Sequence, residues 1–217
     1  ICACLVGSEM CIRDRYETEA MQHLLEEAGY EIVPFTQKAD VYVINTCSVT
    51  NMADRKSRQM LHKAKKNNPD SIVVAAGCYV QTSEKEVLND LSVDIVIGND
   101  RKHDLVRLLE EYSLDSVNDT VDDINDGKHD FEELFIDQTK EHTRAFIKVQ
   151  DGCNQFCSYC IIPYARGRVR SRRFENVIAE VERLAANGFK EVVLTGIHLS
   201  SYGVDFEEAV GLSLIHI

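Results

Sequence analysis

Continuous apolar runs that alternate with helical patterns constrain the fold of this chain more than any other feature. Val41–Ile44 is apolar without a break and Ser71–Ala76 is largely so, as in strands that are covered on both faces. Segments with helical spacing separate these runs, and strands that alternate with helices form parallel sheets. The first part of the chain is therefore predicted to be an α/β domain with an open parallel sheet.

Four strands and four helices are predicted in this first domain, which we place at residues 16–112. The predicted strands are Glu31–Phe35, Val41–Asn45, Ser71–Ala76 and Asp94–Ile97. The first two predicted helices run from about Tyr16 to a stop at Gly29 and from about Met52 to Lys66. The third begins at a capping box formed by Ser83 and Glu86 and ends at Leu91. The fourth runs from Asp104 to Tyr112.

An acidic segment and a second α/β unit are expected after this domain. Residues 104–141 carry thirteen Asp or Glu against three Lys or Arg. Residues 113–142 show no helical or strand period, so we expect a solvated linker or surface loop there. Residues 143–209 predict a strand at Arg144–Val149, a helix closed by Gly188, and a strand at Glu191–Thr195.

Composition narrows the class of protein. The chain has 217 residues, of which 44% are hydrophobic and 28% charged, which is ordinary for a globular protein. No apolar stretch approaches the ~20 residues of a membrane span, so no membrane partner is expected. The net charge of −12 argues against a simple nucleic-acid binder. Eight cysteines in a chain of this length fit reduced, metal-binding thiols in the cytoplasm better than a secreted disulfide scaffold.

Three closely spaced cysteines, Cys153, Cys157 and Cys160, follow the apolar run 145–149. Thiolates are the usual ligands of iron–sulfur clusters, and a closed four-iron cluster takes four of them. Three thiolates would hold three irons and leave the fourth open to a substrate. A structural zinc site wants four protein ligands, and no cysteine or histidine follows closely enough to complete one locally. An odd number of cysteines cannot all pair as disulfides, so the spacing favours a cluster.

Two further cysteines stand just past the carboxyl ends of predicted strands, where open parallel sheets place their ligands. These are Cys47 and Cys78. A single cysteine at such a position is more often a small buried hydrophobe than a ligand. Because parallel neighbours end at the same edge of a sheet, we expect the two to lie close together. We also expect them to face the loop that bears Cys153.

A run of arginines and one histidine complete the candidate residues. Five arginines within eight residues predict contact with the phosphates of an RNA backbone, although a solvated charge run, partly neutralised by the acidic linker, is the alternative. His198 follows a predicted strand, where a lone histidine is more often structural. The arginines are Arg166, Arg168, Arg170, Arg172 and Arg173.

The run from Gly152 to Arg168 resembles the radical S-adenosylmethionine (SAM) methylthiotransferases, and within them the threonylcarbamoyladenosine tRNA methylthiotransferases. The resemblance implies that the second unit begins a partial (β/α) barrel. It further implies that the open iron of a 4Fe–4S cluster chelates SAM, that Tyr159 packs near the adenine, and that Gly196 and His198 line the SAM pocket. The Thr195–His198 segment favours the threonylcarbamoyl branch.

The same resemblance implies a second 4Fe–4S cluster in the first domain. Asn45-Thr46-Cys47 and Ala76-Gly77-Cys78 match two of the family's three cluster motifs. The third motif, Gly-Cys-x-x-Asn, falls in register at Cys11, where Met10 replaces the glycine and Asp14 the asparagine. Cys11 is the expected third ligand only if that register is genuine rather than accidental.

The implied activity is 2-methylthiolation of threonylcarbamoyladenosine beside a tRNA anticodon. One electron would split SAM into methionine and a 5′-deoxyadenosyl radical, which abstracts a hydrogen from the base. The second cluster would take part in sulfur delivery, and a second SAM would supply the methyl group. The implied partners are the tRNA anticodon stem-loop and an electron donor such as flavodoxin or ferredoxin. The alternatives are a sister enzyme acting on isopentenyladenosine or on a ribosomal-protein aspartate, and a non-catalytic, metal-stapled RNA-binding module.

Both ends of the chain look foreign to the domain pattern. Residues 1–15, ICACLVGSEMCIRDR, and residues 210–217 resemble translated sequencing-adapter sequence. The first run lacks the basic start and the small-residue cleavage site of a signal peptide. We therefore expect a fragment with artefactual ends, in which Cys2 and Cys4 have no function.

Overall fold

The computed structural model describes residues 1–7, 12–112, 121–127, 129–134 and 144–207, with the side chains of Ile12 and Arg13 excepted. A five-stranded parallel sheet forms the first domain, as the alternation of strands and helices predicts. The spatial order of its strands is β2-β1-β3-β4-β5. Their bounds are β1 Cys2–Gly7, β2 Glu31–Ile32, β3 Val41–Thr46, β4 Ile72–Gly77 and β5 Ile95–Ile97.

Helices cover both faces of this sheet, which explains why its central strands are continuously apolar. The helices are α1 Ile12–Glu27, α2 Asn51–Asn67, α3 Cys78–Thr82, α4 Glu84–Leu88 and α5 Leu105–Tyr112, the last preceded by a 3₁₀ turn at Lys102–Asp104. Val43 packs with α1 and α5 in one core layer, whereas Tyr42 and Ile44 pack with α2, α3 and α4 in the other. Successive residues of β3 thus serve opposite layers.

The start of the chain departs from expectation. Cys2–Gly7 is a strand that pairs in parallel with both β2 and β3, so it lies inside the sheet. Ala3 and Cys4 are buried in the two core layers. The first domain of the structure therefore includes these residues, and the predicted boundary at residue 16 is wrong. A short apolar run with little periodicity carries too weak a signal to be separated from foreign sequence.

The segment around Ser83 also differs from prediction. Residues 78–88 form two short helices instead of one that reaches Leu91, because the chain turns at Ser83. The Ser83 side chain makes no capping hydrogen bond, so the predicted capping box is absent there. The well-formed cap lies earlier, where Thr50 Oγ1 accepts a hydrogen bond from the Ala53 N–H at 3.1 Å and α2 begins.

The second unit contains the beginning of a β/α arrangement. β6 Arg144–Lys148 pairs in parallel with β9 Glu191–Thr195, and α7 Phe174–Ala186 covers them. Val177 and Leu184 of α7 pack against Ala145 and Ile147 of β6. A small antiparallel pair, β7 Gln150–Asp151 and β8 Arg170–Ser171, and the short helix α6 Ile162–Arg166 frame the loop between these elements.

Buried side chains anchor part of the acidic segment, for which a solvated linker or surface loop is predicted, whereas most of its described acidic residues are exposed. Ile124 and Leu134 are 4% and 3% exposed. Leu134 packs beside Tyr16 and Ala20 of α1, and the Tyr16 hydroxyl donates to its carbonyl at 2.5 Å. Residues 113–120, 128 and 135–143 lie outside the described residues, as does the predicted run 210–217. No helix in the described residues is long and apolar enough to cross a membrane.

Candidate functional site

The three predicted cluster cysteines lie in one loop between β7 and α6. Cys157 is exposed, and Cys153 and Cys160 are half-buried. The Cys153 N–H donates to the Gly167 carbonyl at 3.0 Å, and the Cys160 N–H donates to the Cys157 carbonyl at 2.9 Å. The loop is therefore tied at its start to the end of α6 and closed on itself by a turn.

Gly152, at the entry to this loop, must be glycine. Its φ is +70°, and a Cβ there would lie 1.8 Å from the Arg168 carbonyl oxygen. Neither the backbone conformation nor the space admits a side chain. This close approach brings the loop against the strand that follows it.

The chemistry of the loop fits a four-iron cluster with one open iron. The loop supplies three thiols and, within it, no fourth protein ligand. No group of three His, Cys, Asp or Glu side chains in the described ranges already stands as a metal site.

Cys47 and Cys78 stand together at the carboxyl edge of the first sheet, as predicted. Thr46 of β3 pairs with Gly77 of β4, and each cysteine is the next residue of its chain. Neighbouring strands lie about 4.8 Å apart. Both cysteines are buried, at 1% and 3% exposure. Cys11 lies outside the described residues, so its expected ligand role stays a prediction.

The turn from β4 into α3 brings Gly77, the residue before Cys78, against the end of β3. Gly77 has a φ of +102°, and a Cβ on it would lie 2.5 Å from the Thr46 carbonyl oxygen. On the neighbouring strand, Ser57 of α2 holds the Cys47 peptide through both its N–H and its carbonyl, each at 3.3 Å. The two cysteine backbones are thus fixed by close backbone approach and by a helix side chain.

The sulfur of Cys78 receives two N–H donors. Arg166 Nε lies 3.1 Å from Cys78 Sγ, and Asn99 Nδ2 lies 3.6 Å from it. Asn99 follows β5, so it stands at the same sheet edge as the two cysteines, and its amide also donates to the Ala165 carbonyl at 2.6 Å. Sequence analysis missed Asn99, although its position just after a strand was an available signal.

A buried network of six charges joins the two units behind Cys78. Glu17 of α1 binds three cations, which are Lys102, Lys148 and Arg166. Asp151 also binds Lys148 at 3.3 Å and Arg166 at 3.2 Å, and Asp14 binds Arg166 at 2.9 Å. The exposure of each of the six residues is 5% or less. Three positive charges therefore meet three negative ones out of contact with water.

The network sets the protonation of its members. Burial alone would raise the pKa of the Glu17 carboxyl, but the charges of Arg166, Lys102 and Lys148 outweigh burial and hold that pKa well below its ordinary value of 4.5. Burial alone would lower the pKa of Lys148, but Glu17 and Asp151 raise it above the ordinary value of 10.5. Glu17 and Lys148 are therefore both charged at neutral pH.

Three of the five arginines predicted to bind RNA are buried instead. Arg166 belongs to the charge network, and Arg170 binds Asp100. Arg172 binds Glu180 and, at 2.7 Å, Glu133 of the acidic segment. Their guanidinium groups form ion pairs with carboxylates inside the protein. The prediction of an RNA-facing surface is therefore wrong for these three arginines. Sequence analysis had no signal for the partners Glu17, Lys102 and Lys148, which read as ordinary charged residues.

The other two arginines are exposed, and one of them lies against an aromatic pair. The Arg168 guanidinium stands 5.4 Å from the Phe156 ring centroid. Phe156 in turn meets the Tyr164 ring edge-on at 5.7 Å. Arg173 is exposed just before α7. Arg168 and Arg173 therefore stay candidates for RNA contact.

The residues expected at the SAM pocket lie on the loop and past β9. Tyr159 is 90% exposed on the cysteine loop. His198 is exposed, and its ring nitrogens lie within hydrogen-bond distance of the hydroxyls of Ser200 and Ser201. Gln150, which sequence analysis missed, connects the two places: its amide group donates to the Gly152 carbonyl at 2.8 Å and accepts from the His198 N–H at 2.8 Å. Gly196 lies beside Gln150, where a Cβ would meet its Oε1 at 3.0 Å.

A three-cysteine loop after the first strand of a β/α unit defines a radical SAM protein, and the family comparison agrees. Residues 147–215 match the Radical SAM superfamily. Residues 6–98 match a family described as Uncharacterized protein family UPF0004. The superfamily match implies SAM and a 4Fe–4S cluster as cofactors.

Curated relatives identify the family more closely. The chain is 45% identical over 200 residues to threonylcarbamoyladenosine tRNA methylthiotransferase MtaB of Bacillus subtilis. The match covers 91% of this chain and 44% of that protein. It is 45% identical over 197 residues to MtaB of Aquifex aeolicus, covering 90% of the chain and 48% of that protein. It is 35% identical over 208 residues to tRNA-2-methylthio-N(6)-dimethylallyladenosine synthase of a Thermoanaerobacter species. That match covers 92% of this chain and 43% of the synthase.

The chain belongs to the radical SAM methylthiotransferase family. It spans a little under half the length of the curated relatives it matches. Among solved structures, the radical SAM methyltransferase TsrM of Kitasatospora setae, with cobalamin and a [4Fe-4S] cluster bound, has a TM-score of 0.61 at 15% identity. That match covers 92% of this chain and 48% of TsrM, and it supports the fold alone.

Proposed function

We propose that the whole protein to which this chain belongs is a tRNA methylthiotransferase that converts N6-threonylcarbamoyladenosine beside the anticodon to its 2-methylthio derivative. The observation that carries the class of reaction is the juxtaposition of two cysteine sites. Cys47 and Cys78 end neighbouring strands, and Arg166 joins Cys78 to the segment that anchors the Cys153 loop. The two MtaB relatives, at 45% identity, support the threonylcarbamoyl substrate.

In this proposal the loop cysteines hold the cluster that binds SAM. When bound, the cluster and SAM supply a one-electron reduction that generates a carbon-centred radical. The protein orients that chemistry: Gly152 and the Cys153–Gly167 hydrogen bond fix the start of the loop, and Gln150 fixes the loop relative to His198. Tyr159 is free to cover the adenine because no packing in the described residues holds it down.

Cys47, Cys78 and Cys11 are the proposed ligands of the second cluster, which would take part in sulfur delivery. Cys47 and Cys78 are both buried, and Ser57 and the close approach of Gly77 to Thr46 hold the backbone at this edge. Two N–H donors already face the Cys78 sulfur, and a thiolate ligand of an iron–sulfur cluster accepts such hydrogen bonds. The donors therefore suit a thiolate better than they suit an inert buried thiol.

The proposed partners are a tRNA anticodon stem-loop and a one-electron donor such as flavodoxin or ferredoxin. Arg168 offers positive charge beside Phe156 of the cysteine loop, and Arg173 is exposed just before α7. Phosphate contacts of this kind position RNA without reading its sequence. A substrate of this kind implies a cytoplasmic protein.

A second candidate substrate is the dimethylallyl-modified adenosine of tRNA. The 35% identity with the Thermoanaerobacter synthase over 208 residues favours it as the alternative. The identity with the MtaB relatives is ten points higher over a similar length, so the threonylcarbamoyl substrate is preferred.

Mass spectrometry of tRNA nucleosides tests the proposal. A bacterial host that lacks its own methylthiotransferases would receive the gene extended to the full length of the relatives. We expect 2-methylthio-threonylcarbamoyladenosine in its tRNA, and no such product from the matched Cys160→Ala variant. Accumulation of the methylthio-dimethylallyl nucleoside instead would select the second candidate, and the absence of any methylthio nucleoside would contradict both.

A further inference from the structure

A guanidinium from the second unit reaches a cysteine sulfur of the first domain. Arg166 Nε lies 3.1 Å from Cys78 Sγ, within the distance of an N–H···S hydrogen bond. Arg166 is 1% exposed and Cys78 is 3% exposed. The sulfur therefore faces a positive charge in a region from which water is excluded, where electrostatic interactions are stronger than at the surface.

The contacts of Arg166 keep its Nε aimed at this sulfur. The Nη2 atom binds Asp14 Oδ1 at 2.9 Å, and the Nη1 atom binds Asp151 Oδ2 at 3.2 Å and also Glu17. A guanidinium is planar and its nitrogens form a rigid fork. Anchoring two of the nitrogens therefore fixes the direction of the third.

The segment that carries Arg166 also supports the three-cysteine loop. Gly167, the next residue, accepts a hydrogen bond from the Cys153 N–H at 3.0 Å. Two adjacent residues thus contact one cysteine of each proposed cluster site. Among the described residues, the first domain supplies the neutral Asn99 amide to Cys78, and the charged donor comes from the second unit.

We propose that Arg166 is a positioning residue that the radical SAM unit contributes to the cluster of the first domain. Its N–H bond and charge at the Cys78 sulfur make that cluster easier to reduce, because hydrogen bonds to cluster sulfurs favour the more negative, reduced state. The proposal rests on the proposed function, since it requires a cluster on Cys47 and Cys78. The site is complete only when the two units are docked.

The midpoint potential of the first-domain cluster tests this role. The parent would be the 217-residue chain with Cys153→Ala, Cys157→Ala and Cys160→Ala, reconstituted anaerobically with iron and sulfide so that only the first-domain site can fill. A redox titration followed by electron paramagnetic resonance would then compare two doubly substituted chains. Arg166→Gln with Asp14→Asn removes one cation and one carboxylate, which leaves the buried charges balanced. Lys102→Gln with Asp14→Asn removes the same carboxylate and a cation that binds Glu17 instead.

We expect the Arg166→Gln pair to hold as much iron as the parent and to show a more negative midpoint potential, with a clearly smaller shift for the Lys102→Gln pair. If the Arg166→Gln pair does not fold, Arg166→Lys serves in its place. It keeps the charge, loses the Nε donor, and is also expected to shift the potential negatively.

An unchanged potential in a folded Arg166 variant, or an equal shift in the Lys102→Gln pair, would overturn the role of Arg166. If the parent binds no iron at all, the second cluster of the proposed function fails instead, so the two failures are distinguishable.

Discussion

Glu17→Gln is the change that probes the buried charge network most directly. Glu17 is 0% exposed and binds Lys102, Lys148 and Arg166, while Asp14 and Asp151 supply the remaining negative charge. Glutamine has nearly the same shape but no charge. The variant therefore keeps the packing and leaves three buried cations against two carboxylates.

The expected cost is large because one positive charge is left uncompensated in the interior. Removing one partner of a buried ion pair typically costs about 3–5 kcal/mol. The cost arises from the stranded cation and not from the strength of any one ion pair. For a chain of this size such a loss corresponds to a fall in melting temperature of about 6–20 °C.

Urea unfolding of the wild-type and variant chains measures this loss as a free energy. Glu27→Gln is the matched control on the same helix, because the Glu27 side chain is 64% exposed and its contact with His23 is 3.6 Å long. We expect the control to stay within about 0.5 kcal/mol of the wild type. A second variant, Glu17→Gln with Lys102→Gln, restores the charge balance and is expected to recover part of the loss.

A Glu17→Gln chain that unfolds within about 1 kcal/mol of the wild type would refute this reasoning. It would mean that water reaches the network, or that the second unit does not dock on α1 in solution. Equal losses for Glu17→Gln and Glu27→Gln would likewise show that burial does not decide the cost.

Three further outcomes follow from the same structure. Because neighbouring cations lower the pKa of Glu17 in the folded state, its carboxylate stabilises the fold fully above its ordinary pKa of 4.5, and this contribution is lost as the pH falls through the lower folded-state pKa. In an acid titration, the unfolding free energies of wild type and Glu17→Gln should therefore converge only well below pH 4.5. Cys157 is exposed, whereas burial raises the pKa of the Cys4 thiol to about 11. Iodoacetamide at pH 8 should therefore label Cys157 first in the cluster-free chain, and peptide mass spectrometry measures the order of labelling. Faster labelling of Cys4 would contradict the assignment of Cys2–Gly7 as a buried strand. In the full-length protein, the double substitution Arg168→Gln, Arg173→Gln should weaken tRNA binding severalfold and reduce the salt dependence of that binding, as filter binding would measure. An unchanged affinity would show that neither arginine contacts the RNA.

The sheet and its cysteine edge were predictable because their causes are local. Continuous apolar runs such as Val41–Ile44 arise because both faces of β3 are covered. Parallel strands joined by a helix end at one edge, so the neighbouring positions of Cys47 and Cys78 followed from topology alone. The spacing of the loop cysteines needed no long-range information either.

The fate of the arginines was not predictable because their partners are distant in sequence. Arg166 binds Glu17, which is 149 residues away, and nothing in the spacing of either residue marks the pair. A dense run of arginines reads as a surface because isolated charges rarely go inside. Only the fold shows that carboxylates from α1 and the acidic segment meet them there.

The same limit applies to the start of the chain. Cys2–Gly7 is short, and its position between β2 and β3 is set by pairing with residues that lie 29 and 38 positions later. Strand pairing of this kind is a tertiary property. The composition of six residues does not reveal it.

Iron and acid-labile sulfide content, read together with electron paramagnetic resonance, tests the two-cluster interpretation most directly. The reconstituted wild-type chain should carry two 4Fe–4S clusters. The Cys153→Ala, Cys157→Ala, Cys160→Ala variant should keep about half of the iron, and the Cys47→Ala, Cys78→Ala variant should keep the other half. A triple variant that retains all of its iron, or a wild-type chain that binds zinc in place of iron and sulfide, would contradict the assignment of both sites.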